Sequence, residues 1–456
     1  MSDFTTAPLY QPSVDALAER GLRMELVDTS EVSRFAPWHD ALGRGFHGSR
    51  LEGEVRDGLR EALAFRRTTG VYDDASPEPL VPVGTANSWP ASLTVPGERT
   101  LDGWAISCVT VASTHRRRGI ARGMLEAELG TAAALGLPLA MLTVSESSIY
   151  GRFGFAPAAM AADWKIDTRK AGWTGPVPEG RVDFVPVERW RALVPGLHDT
   201  ARLLSPGEVE MWPGRWDQAA GILSEDTGFT KALRAVQYTD ATGALAGLAL
   251  FRVRGSDDFD AHRVVVDSLI STSADAYAAL WRFLLEIDLV SSVEAELRSV
   301  DEPVRWMISD WRAAEVTTWE HQYLRILDVA ASFEARSYAS VGSVVFEVSD
   351  PLGYASGTWL LTVPGSEAGT SSAADAGTSS RPGTSSHAVV EPVETPPPGI
   401  PALALGVNEL SALYLGGVAV PTLVGAGRVR ELTPGAAAST EVLLHSPVVP
   451  WLSRWY

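Results

Sequence analysis

The clearest alternation of apolar and polar positions lies in the second quarter of the chain. Residues 104–111 form an apolar run with several β-branched side chains, which is typical of a strand. Residues 120–135 place apolar side chains at helical spacing, and a Gly and a Pro shortly afterwards end the pattern. Residues 139–144 are a short continuous apolar run, typical of a buried strand, and Tyr-Gly-Arg-Phe-Gly-Phe follows at 150–155. The pattern therefore predicts strand, Arg- and Gly-rich turn, helix and strand.

The residues before this unit give a weaker pattern. Residues 1–23 are expected to form a loosely held leader. The pattern then predicts, in chain order, a strand at 24–27, a helix to about residue 46, and strands at 80–88 and 91–95. Pro90 is expected to separate the last two strands, because proline cannot donate a hydrogen bond to a neighbouring strand. Trp38 is expected to pack on the sheet.

A similar order of elements recurs further along the chain. Strands are predicted at 232–238, 245–253 and 262–270, followed by a helix through 277–284. The strand-to-helix junction at 269–273 has the layout of the first turn without its arginines and glycine, so no cofactor site is expected there.

The last third begins with a predicted strand from about residue 323, then a helix and two more strands. Residues 365–399 interrupt this order. Gly, Ser, Thr and Pro dominate there, and Gly-Thr-Ser-Ser occurs three times, from Gly369, Gly377 and Gly383. Such a segment cannot bury a core, so it is expected to be a disordered insertion in an exposed loop.

Length and composition narrow the class of protein. A chain of 456 residues is too long for one ordinary core, and a hydrophobic fraction of 45% with 15 Trp is typical of a globular protein. The N-terminus lacks the pattern of a signal peptide, no apolar run is long enough to span a bilayer, and the lone Cys108 cannot form an intrachain disulfide. These features predict a cytoplasmic protein without a membrane partner. His and Cys are too few and scattered for a structural metal.

The net charge of −18 argues against nucleic acid as a partner, because phosphates would be repelled. It favours a cationic ligand if the excess charge lines a cleft. The alternative, that acidity only keeps the protein in solution, stays open.

The turn after the first strand carries the candidate chemistry. Residues 116–121 read Arg-Arg-Arg-Gly-Ile-Ala at the start of the predicted helix. A helix N-terminus offers unpaired N–H groups, Gly119 permits close approach of a ligand, and arginines pair with phosphate oxygens. A pyrophosphate-bearing ligand fits this pattern, although a solvated basic turn is an alternative.

The segments VTVASTHRRRGIARGML and SESSIYGRFGF resemble the acetyl-coenzyme A site of the GNAT acetyltransferases, and within them the enhanced intracellular survival (Eis) family. YLRILDVAASFEARSY, VVFEVSD and LYLGG resemble that family's last domain, which is similar to sterol carrier proteins. The resemblance implies an α+β or α/β fold with two GNAT-like domains in tandem, at 1–163 and 164–320, and a sterol-carrier-like α/β domain at 321–456.

The resemblance also assigns roles to residues near the turn. The backbone at Val109 and Val111 would pair with the pantetheine arm of acetyl-CoA, and Ser145 would lie close to the reaction centre. Tyr150 matches the family's general acid, since a phenol is protonated at neutral pH. A packed aromatic is the alternative for Tyr150. The pyrophosphate would be held by Arg116, Arg117, Arg118, Gly119, Ile120 and Ala121.

Further roles concern the acceptor amine. In the family the chain terminus folds back into the site, so the α-carboxylate of Tyr456 would attract and orient an ammonium group. Phe46 falls where an aromatic side chain lines the substrate cleft. Trp455 stands where the family can have an acidic residue, and Thr143 where it can have a histidine.

The sequence therefore predicts an acetyl-CoA-dependent N-acetyltransferase acting on cationic small-molecule amines such as aminoglycosides or polyamines, without a metal. The resemblance implies a homo-oligomer, a hexamer. Two alternatives stay open: acetylation of protein lysines at the same site, and binding of an apolar or lipid ligand by the C-terminal domain.

Overall fold

The computed structural model describes residues 4–212, 214–258, 260–365 and 387–456. Within these ranges, one sheet of twelve strands carries the first two thirds of the chain, and a sheet of five strands carries the last third. The mixture of strands and helices confirms the α+β or α/β class.

The first half of the large sheet is built from six strands and is covered by five helices. The strands are β1 (Arg23–Leu26), β2 (Arg67–Tyr72), β3 (Gly84–Val95), β4 (Arg99–Val111), β5 (Leu139–Thr143) and β6 (Ala156–Asp167). The helices are α1 (Gln11–Ala18), α2 (Val32–Gly45), α3 (Gly53–Leu63), α4 (Ile120–Ala134) and α5 (Ser147–Tyr150).

The second half also has six strands, covered by four helices. The strands are β7 (Arg181–Val185), β8 (Leu233–Thr239), β9 (Leu245–Arg254), β10 (His262–Ser271), β11 (Val290–Arg298) and β12 (Ala314–Ile326). The helices are α6 (Val187–Ala201), α7 (Gly214–Ala219), α8 (Thr227–Ala232) and α9 (Ala274–Leu285).

Two long strands join these halves. The sheet runs β1-β2-β3-β4-β5-β12-β6-β11-β10-β9-β8-β7, so β12 lies between β5 and β6 and pairs with both. The boundaries predicted after residues 163 and 320 fall inside β6 and β12. The sheet is therefore continuous from the first repeat into the second.

The five-stranded sheet runs β15-β14-β13-β16-β17. Its strands are β13 (Gly342–Ser349), β14 (Gly357–Val363), β15 (Val389–Pro392), β16 (Ala402–Gly406) and β17 (Val429–Glu431). Its helices are α10 (Val329–Ala335), α11 (Val407–Leu413), α12 (Val420–Gly425) and α13 (Ala436–Leu444).

The prediction of disorder over 365–399 is wrong at its C-terminal end. Val389–Pro392 is β15, and it pairs with β14 because Val390 supplies a buried apolar side chain at the sheet edge. Residues 366–386 lie outside the described residues.

Two other expectations need correction. The leader is helical and packed, because Leu17 is fully buried and lies against Gly123 of α4. Pro90 lies inside β3, opposite Trp104 of β4. The pairing of β2 with β3 ends at Ser88, so Pro90 adjoins β4 on one side only and the missing N–H removes no bond to β2.

A buried ion pair fastens the five-stranded unit to the large sheet. The guanidinium of Arg325 in β12 donates to both oxygens of Asp350, at 2.7 and 2.8 Å, and both side chains are fully buried. Arg325 Nε also donates to the carbonyl of Phe153 at 2.7 Å. No helix in the described ranges has the length and apolarity needed to cross a membrane.

Candidate active site

The candidate site begins where two neighbouring strands separate. β4 and β5 run parallel, but they pair only at Trp104 with Ala140 and at Ala105 with Met141. Beyond Ala105, β4 continues to Val111 with β3 on its other side. The β5 side of β4 is therefore an open wedge that an extended ligand can fill. Its backbone groups include those of Val109 and Val111, which the sequence predicted as cofactor-binding residues.

A bulge in β4 shapes this opening. The register between β3 and β4 shifts between Thr85 and Asn87, and Cys108 takes a left-handed φ of 56°. The Cys108 carbonyl accepts a hydrogen bond from Thr85 Oγ1 at 2.8 Å. Bulges re-aim backbone groups next to functional sites. Cys108 is partly exposed, and desolvation raises the pKa of its thiol.

The predicted basic turn forms a cradle at the mouth of the wedge. Arg117 and Gly119 have left-handed φ values of 64° and 77°, and Gly119 precedes the first turn of α4. A cavity of about 470 Å³ lies here and is lined by Arg20, Arg117, Arg118, Gly119 and Arg122. A Cβ on Gly119 would meet the guanidinium of Arg20, so a side chain at this position would displace that cation. Basic side chains around a helix N-terminus fit a pyrophosphate.

The three consecutive arginines have different surroundings. Arg118 donates to Asp73 Oδ2 at 2.8 Å, and this bond holds the pKa of that carboxyl below its usual value. Arg117 is exposed in the cradle, whereas Arg116 is exposed outside its lining. Ile120 begins α4 as a buried residue, followed by Ala121. Among the described residues, Arg117 and Arg20 line the cradle without an ion-pair partner, whereas Arg122 lies 3.9 Å from Glu126. The sequence pattern indicated neither Arg20 nor Arg122.

Tyr150 ends the short helix α5 just beyond β5. It is 7% exposed and packs edge-on against Phe155, with ring centroids 6.2 Å apart. Burial, with a smaller contribution from Glu146, raises the pKa of its phenol to about 12. The hydroxyl is therefore held protonated at neutral pH. Ser145, in the loop before α5, is exposed.

The last residues of the chain return to β4. The backbone oxygen of Tyr456 accepts a hydrogen bond from Ser107 Oγ at 2.8 Å. The Tyr456 ring packs edge-on against Trp89 at 6.0 Å, and burial raises the pKa of its phenol well above the usual range. Ser107 is two residues beyond the last β4–β5 pair, so the chain terminus lies beside the opening of the wedge.

Several contacts hold this tail in place. Trp451 Nε1 donates to the Leu297 carbonyl at 2.8 Å, and His321 Nε2 lies 3.1 Å from the Arg454 carbonyl. Trp455 stacks on Trp319 with centroids 5.6 Å apart. The terminus is therefore fixed by residues of the second repeat, which explains how a distant segment reaches β4.

Phe46 and Trp38 come from α2 and have opposite environments. Trp38 is 1% exposed and donates to the Thr69 carbonyl at 2.8 Å, so it packs on the sheet as expected. Phe46 follows the last residue of α2 and is 52% exposed. A Cβ on the neighbouring Gly45 would meet the side chain of Thr110, which brings this end of α2 close to β4. Phe46 therefore lies near the wedge, available to a ligand.

The corresponding junction of the second repeat is different. A cavity of about 350 Å³ lies there, and its lining includes Ser271, Tyr277, Arg298 and Trp451. Arg298 pairs with Glu302 at 3.0 Å, so its charge is already neutralised. Within the described ranges, no group of His, Cys, Asp and Glu side chains is arranged to hold a metal ion.

Comparison with known proteins agrees with this geometry. Two acetyltransferase (GNAT) domain families match residues 27–158 and 207–326, and the sterol carrier protein domain family matches residues 329–453. An uncharacterized N-acetyltransferase of Streptomyces avermitilis is 34% identical over 427 residues, covering 91% of this chain and 95% of that protein. The N-acetyltransferase Eis of Mycobacterium tuberculosis is 36% identical over 301 residues, covering 61% of this chain and 69% of Eis.

Solved structures share the fold. Eis1 from Mycobacterium abscessus superimposes with a TM-score of 0.76 at 24% identity, covering 95% of this chain and 100% of that one. A GCN5-related N-acetyltransferase from Kribbella flavida gives a TM-score of 0.68 at 20% identity, covering 96% and 99%. The two GNAT-like repeats and the sterol-carrier-like unit predicted from the sequence are confirmed.

Proposed function

The chain belongs to the Eis family of GNAT N-acetyltransferases, and from this premise we propose that it transfers acetyl from acetyl-CoA to the amine of a small molecule that binds beside its own C-terminus. Membership of this family makes the chain an acetyltransferase, whereas the identity of the acceptor and the roles of the residues are proposed. The observation that carries it is the hydrogen bond between Ser107 on the splayed strand and the carboxyl group of Tyr456.

Acetyl-CoA supplies the acetyl group as a thioester. The fit of this chain rests on Gly119, where a side chain would displace the guanidinium of Arg20, and on the basic groups of Arg117, Arg20 and Arg122 around the cradle. Free N–H groups at the start of α4 add donors for phosphate oxygens. The unpaired edge of β4 at Val109 and Val111 offers backbone partners for the amide groups of the pantetheine arm.

Tyr150 supplies the proton that the reaction needs. The bound ammonium first gives one proton to solvent, which leaves a neutral amine. As the new N–C bond forms and the C–S bond breaks, the phenol donates its proton to sulfur, and the second proton lost by the amine nitrogen restores the phenol. The raised pKa of Tyr150 keeps this donor protonated between turnovers. Ser145 is proposed to contact acetyl-CoA close to the reaction centre, and Thr143 and Phe46 are proposed to shape the acceptor side of the wedge.

The carboxylate of Tyr456 attracts and orients the acceptor ammonium. A terminal carboxylate is a weak base, with an ordinary pKa of about 3.5, so its contribution is position and charge and not proton abstraction. Aminoglycosides and polyamines, the acceptors expected from the sequence, share this ammonium group and belong in the first panel of substrates.

The experiment measures acetyl-CoA-dependent release of CoA thiol with a panel of amines, with mass spectrometry of the acetylated product. Two variants are compared with the natural chain: one lacks Tyr456, and one carries an added C-terminal glycine. The added glycine moves the carboxylate but keeps the Tyr456 ring, so it separates charge from packing.

Both variants are expected to lose at least about tenfold in kcat/KM, the effect of misplacing an orienting group, while the Kd for acetyl-CoA stays unchanged. Full turnover in the glycine-extended chain would contradict the role of the carboxylate. Binding of acetyl-CoA without acetylation of any amine would contradict the proposed reaction, and acetylated lysines on added proteins would instead support protein acetylation.

Two broader expectations remain part of the proposal. A cytoplasmic location suits an enzyme that consumes acetyl-CoA. A hexamer is proposed from family membership, and light scattering of the purified chain measures it. Binding of a lipid by the unit from residue 321 onward rests on its resemblance to sterol carrier proteins alone, and fold does not fix function.

A further inference from the structure

Three arginines near the chain terminus have no role in the reaction described above. Arg66 precedes β2, Arg215 lies in α7, and Arg454 is two residues before the last residue. Arg66 and Arg454 are only 5% and 7% exposed. Among the described residues, none of the three makes an ion pair, and the Nε atoms of Arg66 and Arg215 are buried without a hydrogen-bond partner. We call these residues the arginine cluster.

The arginine cluster reaches the face on which the terminal carboxylate lies. The Arg66 guanidinium lies 3.8 Å from the ring centre of Trp89, and that ring packs against Tyr456. Arg66 Nη1 donates to Asn87 Oδ1 at 3.3 Å. Asn87 is opposite Ser107 in the β3–β4 register, and Ser107 binds the carboxyl group. Arg66 is therefore one side chain away from the proposed ammonium site.

Arg215 connects the other two members. Burial, with a smaller contribution from the charge of Arg215, lowers the pKa of Arg66 to about 10 and that of Arg454 to about 9. The cluster has aromatic walls, because Arg66 lies 5.0 Å from the Trp212 ring and Arg454 lies 5.3 Å from the Trp216 ring. The three guanidinium groups therefore share one apolar environment.

Few negative charges compensate the arginine cluster. Glu208 is near enough to raise the pKa of Arg454. Asp267 also acts on Arg454 but is engaged by Arg252 at 2.7 Å. Burying an uncompensated charge costs free energy, so the arginine cluster favours a ligand that brings a negative group.

We infer that the acceptor carries an acidic oxygen group, a carboxylate or a phosphate, which the arginine cluster binds while the terminal carboxylate binds the ammonium. The inference rests on the proposed acetyl transfer and narrows its acceptor to zwitterionic small molecules. Guanidinium groups match the planar geometry of such oxyanions. The indole rings of Trp89 and Trp212 suit a flat apolar body between the two charged ends.

The test uses three benzylamines that differ only at the para position: carboxylate, methyl and aminomethyl. The natural chain is expected to acetylate 4-(aminomethyl)benzoate with a kcat/KM at least about tenfold above the other two, as for one charge-assisted hydrogen bond. Arg66→Gln and Arg215→Gln are expected to abolish that preference, and Arg215→Lys to retain part of it. Arg191→Gln is the matched control, because Arg191 is exposed and pairs with Asp217 outside the cluster.

Equal or higher kcat/KM for the methyl or aminomethyl compound would overturn the inference while leaving acetyl transfer intact. An equal loss for all three compounds in Arg66→Gln would also overturn it, because the cluster would then serve only the terminal carboxylate. If none of the three is acetylated, the proposed reaction fails for this panel, and quenching of tryptophan fluorescence measures binding instead. Tighter binding of the benzoate than of the diamine, lost in Arg66→Gln, supports the inference; equal binding overturns it.

Discussion

The cradle at the start of α4 predicts that Gly119→Ala weakens the binding of acetyl-CoA. Gly119 has φ of 77°, a conformation that costs an L-residue about 1–2 kcal/mol. In addition, the new Cβ would meet the guanidinium of Arg20 and displace this cation from its position in the proposed phosphate site. Gly136→Ala is the matched control. Gly136 lies at the other end of the same helix with φ of 74°, and its Cβ would meet nothing within 4 Å.

Both variants are expected to lower thermal stability by a similar amount, because the backbone cost is the same. Only Gly119→Ala is expected to weaken acetyl-CoA binding, by at least about tenfold or 1.4 kcal/mol, through the loss of one charge-assisted phosphate contact. Isothermal titration with acetyl-CoA measures the difference. Equal affinity in the two variants would refute the placement of the pyrophosphate in this cradle.

Two further predictions follow from the surroundings of single groups. The phenol of Tyr150 has a pKa raised to about 12 and acts in its protonated form, so kcat/KM should not fall as pH passes 10. The free energy of unfolding that this buried neutral phenol contributes should be lost only as pH rises from 10 towards 12. A descending limb near pH 10 in a rate profile would contradict this. Arg325→Leu should destabilise the fold by about 3–5 kcal/mol in chemical denaturation, because Asp350 stays buried without its partner, and the double variant with Asp350→Leu should recover most of that loss. No recovery in the double variant would contradict the account.

The strand, turn and helix around residue 119 could be predicted because their signal is local. Apolar spacing of two and then of about 3.6 residues, with glycine at the turn, appears directly in β4 and α4. The predicted break at Pro90 failed for a non-local reason: the neighbouring strand β2 stops at Ser88, which sequence spacing cannot reveal.

The acceptor side of the site could not be predicted from local patterns. Ser107 lies in an apolar run, and Arg66 is the first of two adjacent arginines at the start of a strand; neither has a distinctive neighbourhood in sequence. Both residues lie near Tyr456, which is distant from them in sequence and is bound by Ser107 in the folded chain. Family resemblance indicated the terminus, but the partner residues needed the fold.

The charge around the proposed acceptor site could not be predicted from the composition of the chain. The net charge of −18 suggested a cationic ligand, yet the buried charges nearest the chain terminus include the unpaired Arg66 and Arg454. Total charge describes the surface as a whole, whereas a pocket is described by the few groups that line it.

The most direct test of acetyl transfer at this wedge is the turnover number of Tyr150→Phe with a saturating amine acceptor, measured beside the natural chain. The substitution removes one oxygen from a buried ring and keeps the packing on Phe155. The account predicts that kcat falls by about 10²-fold or more, the usual contribution of a general acid, while the Kd for acetyl-CoA stays the same. A kcat equal to that of the natural chain would contradict the assignment of Tyr150 as the proton donor and with it the proposed site.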